Sequence, residues 1–235
     1  MGEPNKRLHK TILLACFATL AANLPRIHFH NESSDQPALA LWHIVEATSA
    51  LQELAMLAEK DFAILDSIKL EKRKREWLSV RLLLNEFALG KLLRFLPNGK
   101  PILEGNMHIS ISHSGDLGAI ILHHENIGLD IQTLDERILR IERKFVNSDE
   151  QNFIYEMNEK ATCLTMIWCV KEAVFKYFGQ EVDFSQDIRV HSFQTTDSTL
   201  HATYQGKHGH YHFHLKHFMV NNCHVVHTSE VHQVS

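Results

Sequence analysis

Apolar residues recur along this chain with several different periods, and the changes of period mark out its elements. The run Leu39 to Val45 (LALWHIV) is almost continuously apolar and reads as a buried strand. Thr48 and Ser49 can cap a helix that continues to about Ala58. From about Glu71 to Leu89 the apolar positions Trp77, Val80, Leu83, Leu84 and Phe87 fall at helical spacing, with Gly90 as the stop. Pro97-Asn98-Gly99-Lys100-Pro101 is loop chemistry. Two strands follow, Met107 to Ser112 and Leu117 to His123, around a Ser-Gly turn, and then a short one, Ile127 to Ile131. Ser148 with Gln151 makes a capping box. A helix from about Glu159 to Phe178 ends at Gly179. From His201 the pattern alternates with period two, with Asn221-Asn222 as a turn, and predicts a hairpin.

The fold expected is therefore α+β. The strand Trp42–Glu46 precedes the helical segment Trp77–Arg81 much as Gly128–Gln132 precedes Trp168–Glu172. That echo predicts two similar halves, residues 25–124 and 125–235, after an N-terminal extension, residues 1–24. The chain has 235 residues, enough for one large domain or two small ones.

Composition adds few constraints. Net charge is −4, which gives no global argument for nucleic-acid binding. Lys6, Arg7 and Lys10 precede an apolar run from Thr11 to Leu24, the layout of a signal peptide. That run is too short to span a bilayer, and Pro25-Arg26 does not resemble a cleavage site, so an extra helix or upstream extension is expected. The four cysteines, Cys16, Cys163, Cys169 and Cys223, form no Cys-x-x-Cys pair and read as reduced thiols of a cytoplasmic protein. Eighteen histidines are the anomaly. His208, His210, His212 and His214 alternate, so they line one strand face opposite Tyr211, Phe213 and Leu215. Such a face is either a solvated strand or a zinc or copper site.

Three segments carry chemistry. In Gly128-Leu129-Asp130-Ile131-Gln132, strand alternation puts Asp130 and Gln132 on one face. That suits a wet strand face, or oxygen ligands for a hard cation. In Trp168-Cys169-Val170-Lys171-Glu172-Ala173-Val174-Phe175-Lys176, the residues Trp168, Glu172 and Lys176 share a helical stripe, either as a surface ion pair or as a phosphate–metal centre. Ser110-Ile111-Ser112-His113-Ser114-Gly115 reads as a polar turn, or as backbone N–H groups exposed to phosphate oxygens. The basic run Lys69, Lys72, Arg73, Lys74, Arg75 is a solvated helix face, or a surface that steers an acidic partner.

The order Gly99-Lys100-Pro101, Ser112-His113-Ser114, Gly128-Leu129-Asp130-Ile131, then Trp168 to Ala173 with Lys171-Glu172-Ala173, resembles the larger, single-chain 4′-phosphopantetheinyl transferases from about Leu39 onward. The resemblance implies a pseudo-dimer of two α+β halves with the active site in the cleft between them. It implies magnesium-dependent transfer of 4′-phosphopantetheine from coenzyme A to a serine of an apo acyl or peptidyl carrier protein, by a cytoplasmic monomer needing no membrane or nucleic acid. Carried over by position, Asp130 and Glu172 match the metal carboxylates, with Gln132 where the family usually has a second strand carboxylate. Lys100, Ser112, His113 and Lys176 match holders of the coenzyme A phosphates, and Arg81 an arginine near the 3′-phosphate. Glu172 is the candidate base, with Lys171 beside the same centre. Gln132 brings no charge, which keeps open an inactive homologue that binds coenzyme A; the histidines keep open a metal-binding module.

Overall fold

The computed structural model describes residues 26–30, 37–87, 92–105 and 107–234. The N-terminal extension, with its apolar run and Cys16, and the expected helix stop at Gly90 lie outside the described residues.

The first sheet draws its strands from β1 (Arg26–His30), β2 (Ala38–His43), β5 (His108–Ser114) and β6 (Leu117–His123), in the antiparallel order β1-β2-β6-β5. β3 (Leu93–Phe95) and β4 (Pro101–Leu103) form a separate hairpin. The second sheet consists of β7 (Leu129–Thr133), β8 (Ile188–Val190), β9 (Thr199–Gly206), β10 (Gly209–Val220) and β11 (Cys223–Val234), in the order β7-β11-β10-β9-β8. Helices α1 (Thr48–Leu54), α2 (Glu59–Ser67) and α3 (Glu71–Phe87) precede the hairpin, and α4 (Ser148–Ile154) and α5 (Lys160–Phe178) follow β7.

Strand alternation decides how these pieces stack. On the first sheet Ala40, Trp42, Ile120 and Leu122 face Leu51 of α1 and Leu78 and Leu83 of α3. Their neighbours Leu39, Leu41, Ala119 and Ile121 face the other way, onto Leu129, Ile131 and Val225 of the second sheet. The far side of that sheet, with Leu200, Phe213, Leu215 and Val226, covers α5 through Leu164, Ile167 and Val170. The result is helix, sheet, sheet, helix, with an apolar layer in each gap. Burying a Leu or Ile side chain in such a layer contributes about 1.5–3 kcal/mol.

Two glycines let helices sit directly on strands. A Cβ at Gly118 would collide with Ser79 Oγ of α3, and one at Gly128 would overlap the Ala173 carbonyl of α5. The second approach brings the middle of α5 against the start of β7.

Several local expectations shift. Thr48 does not cap α1; its hydroxyl donates to Glu71 Oε2 at 2.7 Å, and Ala47 occupies the cap position without a side-chain bond. The helix expected to reach Ala58 stops at Leu54, and α2 follows as a separate turn of chain. The capping box belongs to Asn147 and Glu150, one residue earlier than Ser148 and Gln151. Glu150 fits better there because its carboxylate also answers a buried lysine, described below. Ser112 to Ser114 continue β5 rather than forming a loop, so the turn begins at Gly115 (φ 60°). The C-terminal alternation resolves into three long strands, and Asn221 (φ 46°) and Asn222 (φ 61°) make the turn between β10 and β11. Positive φ at both positions is the requirement that favours Asn there.

Candidate active site

β7 is an edge strand of its sheet, and its exposed backbone N–H groups are taken up by serines of β5. Ser110 Oγ accepts from Leu129 N at 2.9 Å, Ser112 Oγ from Ile131 N at 3.1 Å and Ser114 Oγ from Thr133 N at 2.9 Å. The spacing of two on both strands makes this ladder possible, because every second residue points the same way. The sheets are thereby held in one register at the point where the chemistry lies.

Asp130 sits in that register, 5 % exposed, directly across from Val226 in the antiparallel pairing. Its side chain faces α5. Oδ1 accepts from Ser112 Oγ at 2.8 Å and from Lys176 Nζ at 2.7 Å. Oδ2 is buried and has no hydrogen-bond partner. Glu172, one turn before Lys176, lies within the influence of Asp130: burial first, then the Asp130 charge, pushes its carboxyl up to about 7, while Lys176 pulls the other way. Beneath them the Cys169 thiol is pushed well up by burial and by Asp130.

A buried, unpartnered carboxylate oxygen beside a second carboxylate that resists ionisation is a pair of hard donors short of positive charge. Such a pair fits a magnesium ion. Gln132, half-buried, shares the face of Asp130 by strand alternation and could add an amide oxygen. Among the described residues no group of three or more His, Cys, Asp or Glu is placed to hold a metal. Any cation here would therefore take its remaining oxygens from the amide, from water or from a substrate.

The cluster adjoins a cavity of about 550 Å³ whose walls come from α3, the β3–β4 loop, β5 and the end of α5. Lys176 and His113 both line it. His113 Nε2 lies 2.8 Å from Arg73 Nη1, and its Nδ1 lies 3.6 Å from Glu76. Burial lowers the His113 pKa and Glu76 opposes that shift. Lys100 also lines the cavity, but its Nζ donates to the carbonyls of Tyr177 (3.0 Å) and Phe178 (3.4 Å) at the end of α5. Those carbonyls have no intrahelical partner, so the lysine acts as a cap supplied from elsewhere in the chain. Asn98 adds a bond to Gly179 O at 3.2 Å.

Two expected site residues have other partners in the structure. Ser112 is 6 % exposed, and its hydroxyl serves Ile131, Asp130 and Lys176. Lys171 points away from Asp130 and Glu172. It is fully buried on another face of α5, where Nζ pairs with Glu150 at 2.8 Å and donates to the carbonyls of Phe145, Phe184 and Ile188. One residue before Glu172 on a helix means about 100° of rotation, which carries Lys171 into the core. Arg81 does line the cavity, stacked on Trp77 at 4.2 Å and 3.4 Å from Asp61.

Arg73 and Glu76 were not singled out as site residues from the sequence. A signal was available: Arg73, Glu76, Trp77, Val80 and Arg81 share one face of α3 at i, i+3, i+4, i+7 and i+8, and all line the cavity. The histidine face divides as alternation requires, His212 exposed and Phe213 and Leu215 buried. His208 departs from it, stacking on Phe178 at 4.6 Å.

Comparison with known proteins points to one family. Residues 126–230 match the 4′-phosphopantetheinyl transferase superfamily. Over 84 residues the chain is 25 % identical to the 4′-phosphopantetheinyl transferase gsp of Aneurinibacillus migulanus, covering 35 % of each protein. Over 91 residues it is 29 % identical to the 4′-phosphopantetheinyl transferase psf-1 of Bacillus pumilus, covering 37 % of this chain and 39 % of the relative. The chain thus matches little more than a third of the length of these relatives. Over residues 126–230 the chain is therefore similar to the 4′-phosphopantetheinyl transferase superfamily, the family that the motifs resemble. Asp130, Gln132, Glu172 and Lys176 fall inside the matched segment, and Arg81, Lys100, Ser112 and His113 before it. Among the described residues no helix is long and apolar enough to cross a membrane.

Proposed function

We propose that the protein transfers the 4′-phosphopantetheine arm of coenzyme A to a serine of an acyl or peptidyl carrier protein, releasing adenosine 3′,5′-bisphosphate. The observation that carries this reading is the buried Asp130 Oδ2 without a partner, beside Glu172 and Lys176 and next to a cavity large enough for a nucleotide. The superfamily match over residues 126–230 supports the same chemistry.

In this reading Asp130 and Glu172 would hold magnesium, and Gln132 would fix a water or ligate directly. When bound, magnesium would offset the diphosphate charge and stabilise the leaving group. The protein's own groups do the rest. Lys176 sits on Asp130 and faces the cavity, so it can hold a diphosphate oxygen as the cluster opens to substrate. His113 offers a second contact from β5, and Lys100 fixes the end of α5 that forms the opposite wall. The carrier serine Oγ forms a bond to the β-phosphorus, the bond to the 5′-phosphate oxygen breaks, and the serine proton passes to a base. Glu172 is the candidate, directly or through a water. Lys171 takes no part.

The two sheets, one within residues 26–123 and the other within 129–234, support two halves, residues 25–124 and 125–235, with the site between them. The reading also places a monomer in the cytoplasm, where coenzyme A is supplied and where the free thiols Cys163, Cys169 and Cys223 would stay reduced. Incubation with coenzyme A, magnesium and apo carrier, followed by mass spectrometry, tests it. Gain of one phosphopantetheine mass on the carrier is expected. Coenzyme A binding without that gain would favour the inactive-homologue reading that Gln132 suggests.

A further inference from the structure

Strand pairing in the second sheet assembles a histidine cluster outside the site described above. His214 of β10 stands directly across from His201 of β9 on one side and from Glu230 of β11 on the other. His212, two residues earlier, stands across from His232. His191, just past β8, extends the first row, its N–H donating to His201 O at 2.9 Å. These five histidines line one depression of about 370 Å³. Alternation along one strand would not bring them together, because its same-face residues stand about 6–7 Å apart. Directly opposed residues of neighbouring strands bring their Cβ atoms to about 4.5–5.5 Å.

A β-bulge adds a carboxylate to the cluster. Leu215 pairs with Thr228 but His214 pairs with Glu230, so Ser229 is left out of the pairing, its hydroxyl donating to His214 O at 3.0 Å. A bulge shifts the alternation of the residues beyond it by one. Val231 therefore turns to the core beneath, while Glu230 and His232 join the face of His212 and His214. Glu230 Oε2 then lies 3.5 Å from His214 Nδ1 and 3.8 Å from His232 Nε2. Both separations are longer than a good hydrogen bond. They are close to the separation of about 3.4 Å between two ligands each about 2.1 Å from one tetrahedral zinc ion. The His214 ring meets those of His201 and His232 edge-on, with centroids 4.7 Å and 5.9 Å away. No three of these donors yet close on one point. His232 and Glu230 are 65 % and 66 % exposed, so their side chains are free to turn inward onto an ion.

We infer that His214, His232 and Glu230 bind a divalent transition-metal ion of the zinc or copper class, with His201 as the fourth ligand. Imidazole nitrogens suit those ions, whereas magnesium prefers oxygen, so this site is separate in chemistry from Asp130 and Glu172. It does not rest on the proposed function. The bound ion ties β9, β10 and β11 together and stabilises the folded chain by binding it in preference to the unfolded one. The alternation of four histidines along one strand marks this region in the sequence, but the ligands come from three strands.

The test is calorimetric titration of the full chain with zinc and, separately, copper(II) salts, in excess magnesium to compete at the oxygen-rich centre. The proteins are the parent, His214→Asn, His232→Asn, Glu230→Gln, His210→Asn and Asp130→Ala, each checked for folding by circular dichroism. The parent should bind one ion of zinc or copper per chain, and its thermal midpoint should rise with that ion. His214→Asn, His232→Asn and Glu230→Gln should each weaken binding at least about tenfold, since even an outer partner of a metal ligand is worth that much. His210→Asn, on the same strand but outside the cluster, should bind as the parent does, and so should Asp130→Ala. A parent that takes up neither ion would overturn the assignment. So would a loss in His210→Asn as large as in His214→Asn, which marks diffuse binding by surface histidines, or a loss confined to Asp130→Ala, which places the ion at the carboxylates.

Discussion

Ser112 Oγ donates to Asp130 Oδ1 at 2.8 Å while accepting the backbone N–H of Ile131, so one hydroxyl joins the first sheet to the second and orients the carboxylate between them. Ser110 and Ser114 make the same backbone contact without touching Asp130. The three serines therefore separate structure from chemistry. Ser110→Ala should cost about 1–3 kcal/mol of stability, the range for stranding a buried donor, with little change in carrier modification per folded molecule. Ser112→Ala should match that loss and also lower turnover, because Asp130 loses its hydroxyl partner. Denaturant unfolding and carrier modification, run in parallel, check this. Equal turnover in the two variants would show that the hydroxyl does not set the carboxylate.

Lys171 lies next to Glu172 in sequence and far from it in role. Its ammonium answers Glu150, which also receives Asn147 N and Val190 N, so the pair ties α4, α5 and β8 together. Removing one partner leaves a buried charge uncompensated, which typically costs about 3–5 kcal/mol. Lys171→Met should fall in that range by thermal or urea unfolding. Lys171→Met combined with Glu150→Leu should recover part of the loss. A stable single variant with abolished turnover would return Lys171 to the catalytic centre.

The overall layout was legible in the sequence because apolar periodicity survives burial. Leu39–His43, the α3 stripe and the C-terminal alternation fold as their periods require, while the expected strand end at Val45 lies past β2 and is exposed. Asp130 and Glu172 were legible because a strand carboxylate and a helix carboxylate keep their faces whatever the loops do. The environment of Ser112 was not: nothing local reveals that an edge strand from 19 residues downstream will dock on its hydroxyl. Lys171 was misplaced because motif adjacency outweighed the rotation of the helix. Arg73 was hidden in a charge run, of which it is the member that lines the cavity.

Stability should depend on pH through His224. Burial and the neighbouring His217, whose Nε2 lies 3.0 Å from His224 Nδ1, push its pKa down to about 4. The unfolded imidazole titrates near 6.5, so between about 6.5 and about 4 the unfolded state binds the proton and the folded state does not. This contribution is present above about 6.5 and is lost as pH falls toward about 4. Urea midpoints measured across that window should drop for the parent and drop less for His224→Phe. Parallel slopes would assign the acid sensitivity to other groups.

Gln132 should set the magnesium requirement. It stands across from His224 in the β7–β11 pairing and on the same strand face as Asp130. Gln132→Glu adds a carboxylate with almost no change of shape, and the magnesium concentration for half-maximal carrier modification should fall several-fold, on the order of 1 kcal/mol. Gln132→Ala should raise it. Coincident titrations for the parent and both variants would remove Gln132 from the site.

The central claim is that Asp130 and Glu172 form the centre at which phosphopantetheine is transferred. Its most direct test is mass spectrometry of an apo carrier protein after incubation with coenzyme A and magnesium, using the parent, Asp130→Ala and Glu172→Ala proteins, with folding checked by circular dichroism. The account predicts one added phosphopantetheine on the carrier serine with the parent, none after chelation of the metal, and at least about a hundredfold slower addition with either variant. Folded Asp130→Ala or Glu172→Ala protein that modifies the carrier at the parent rate would contradict it.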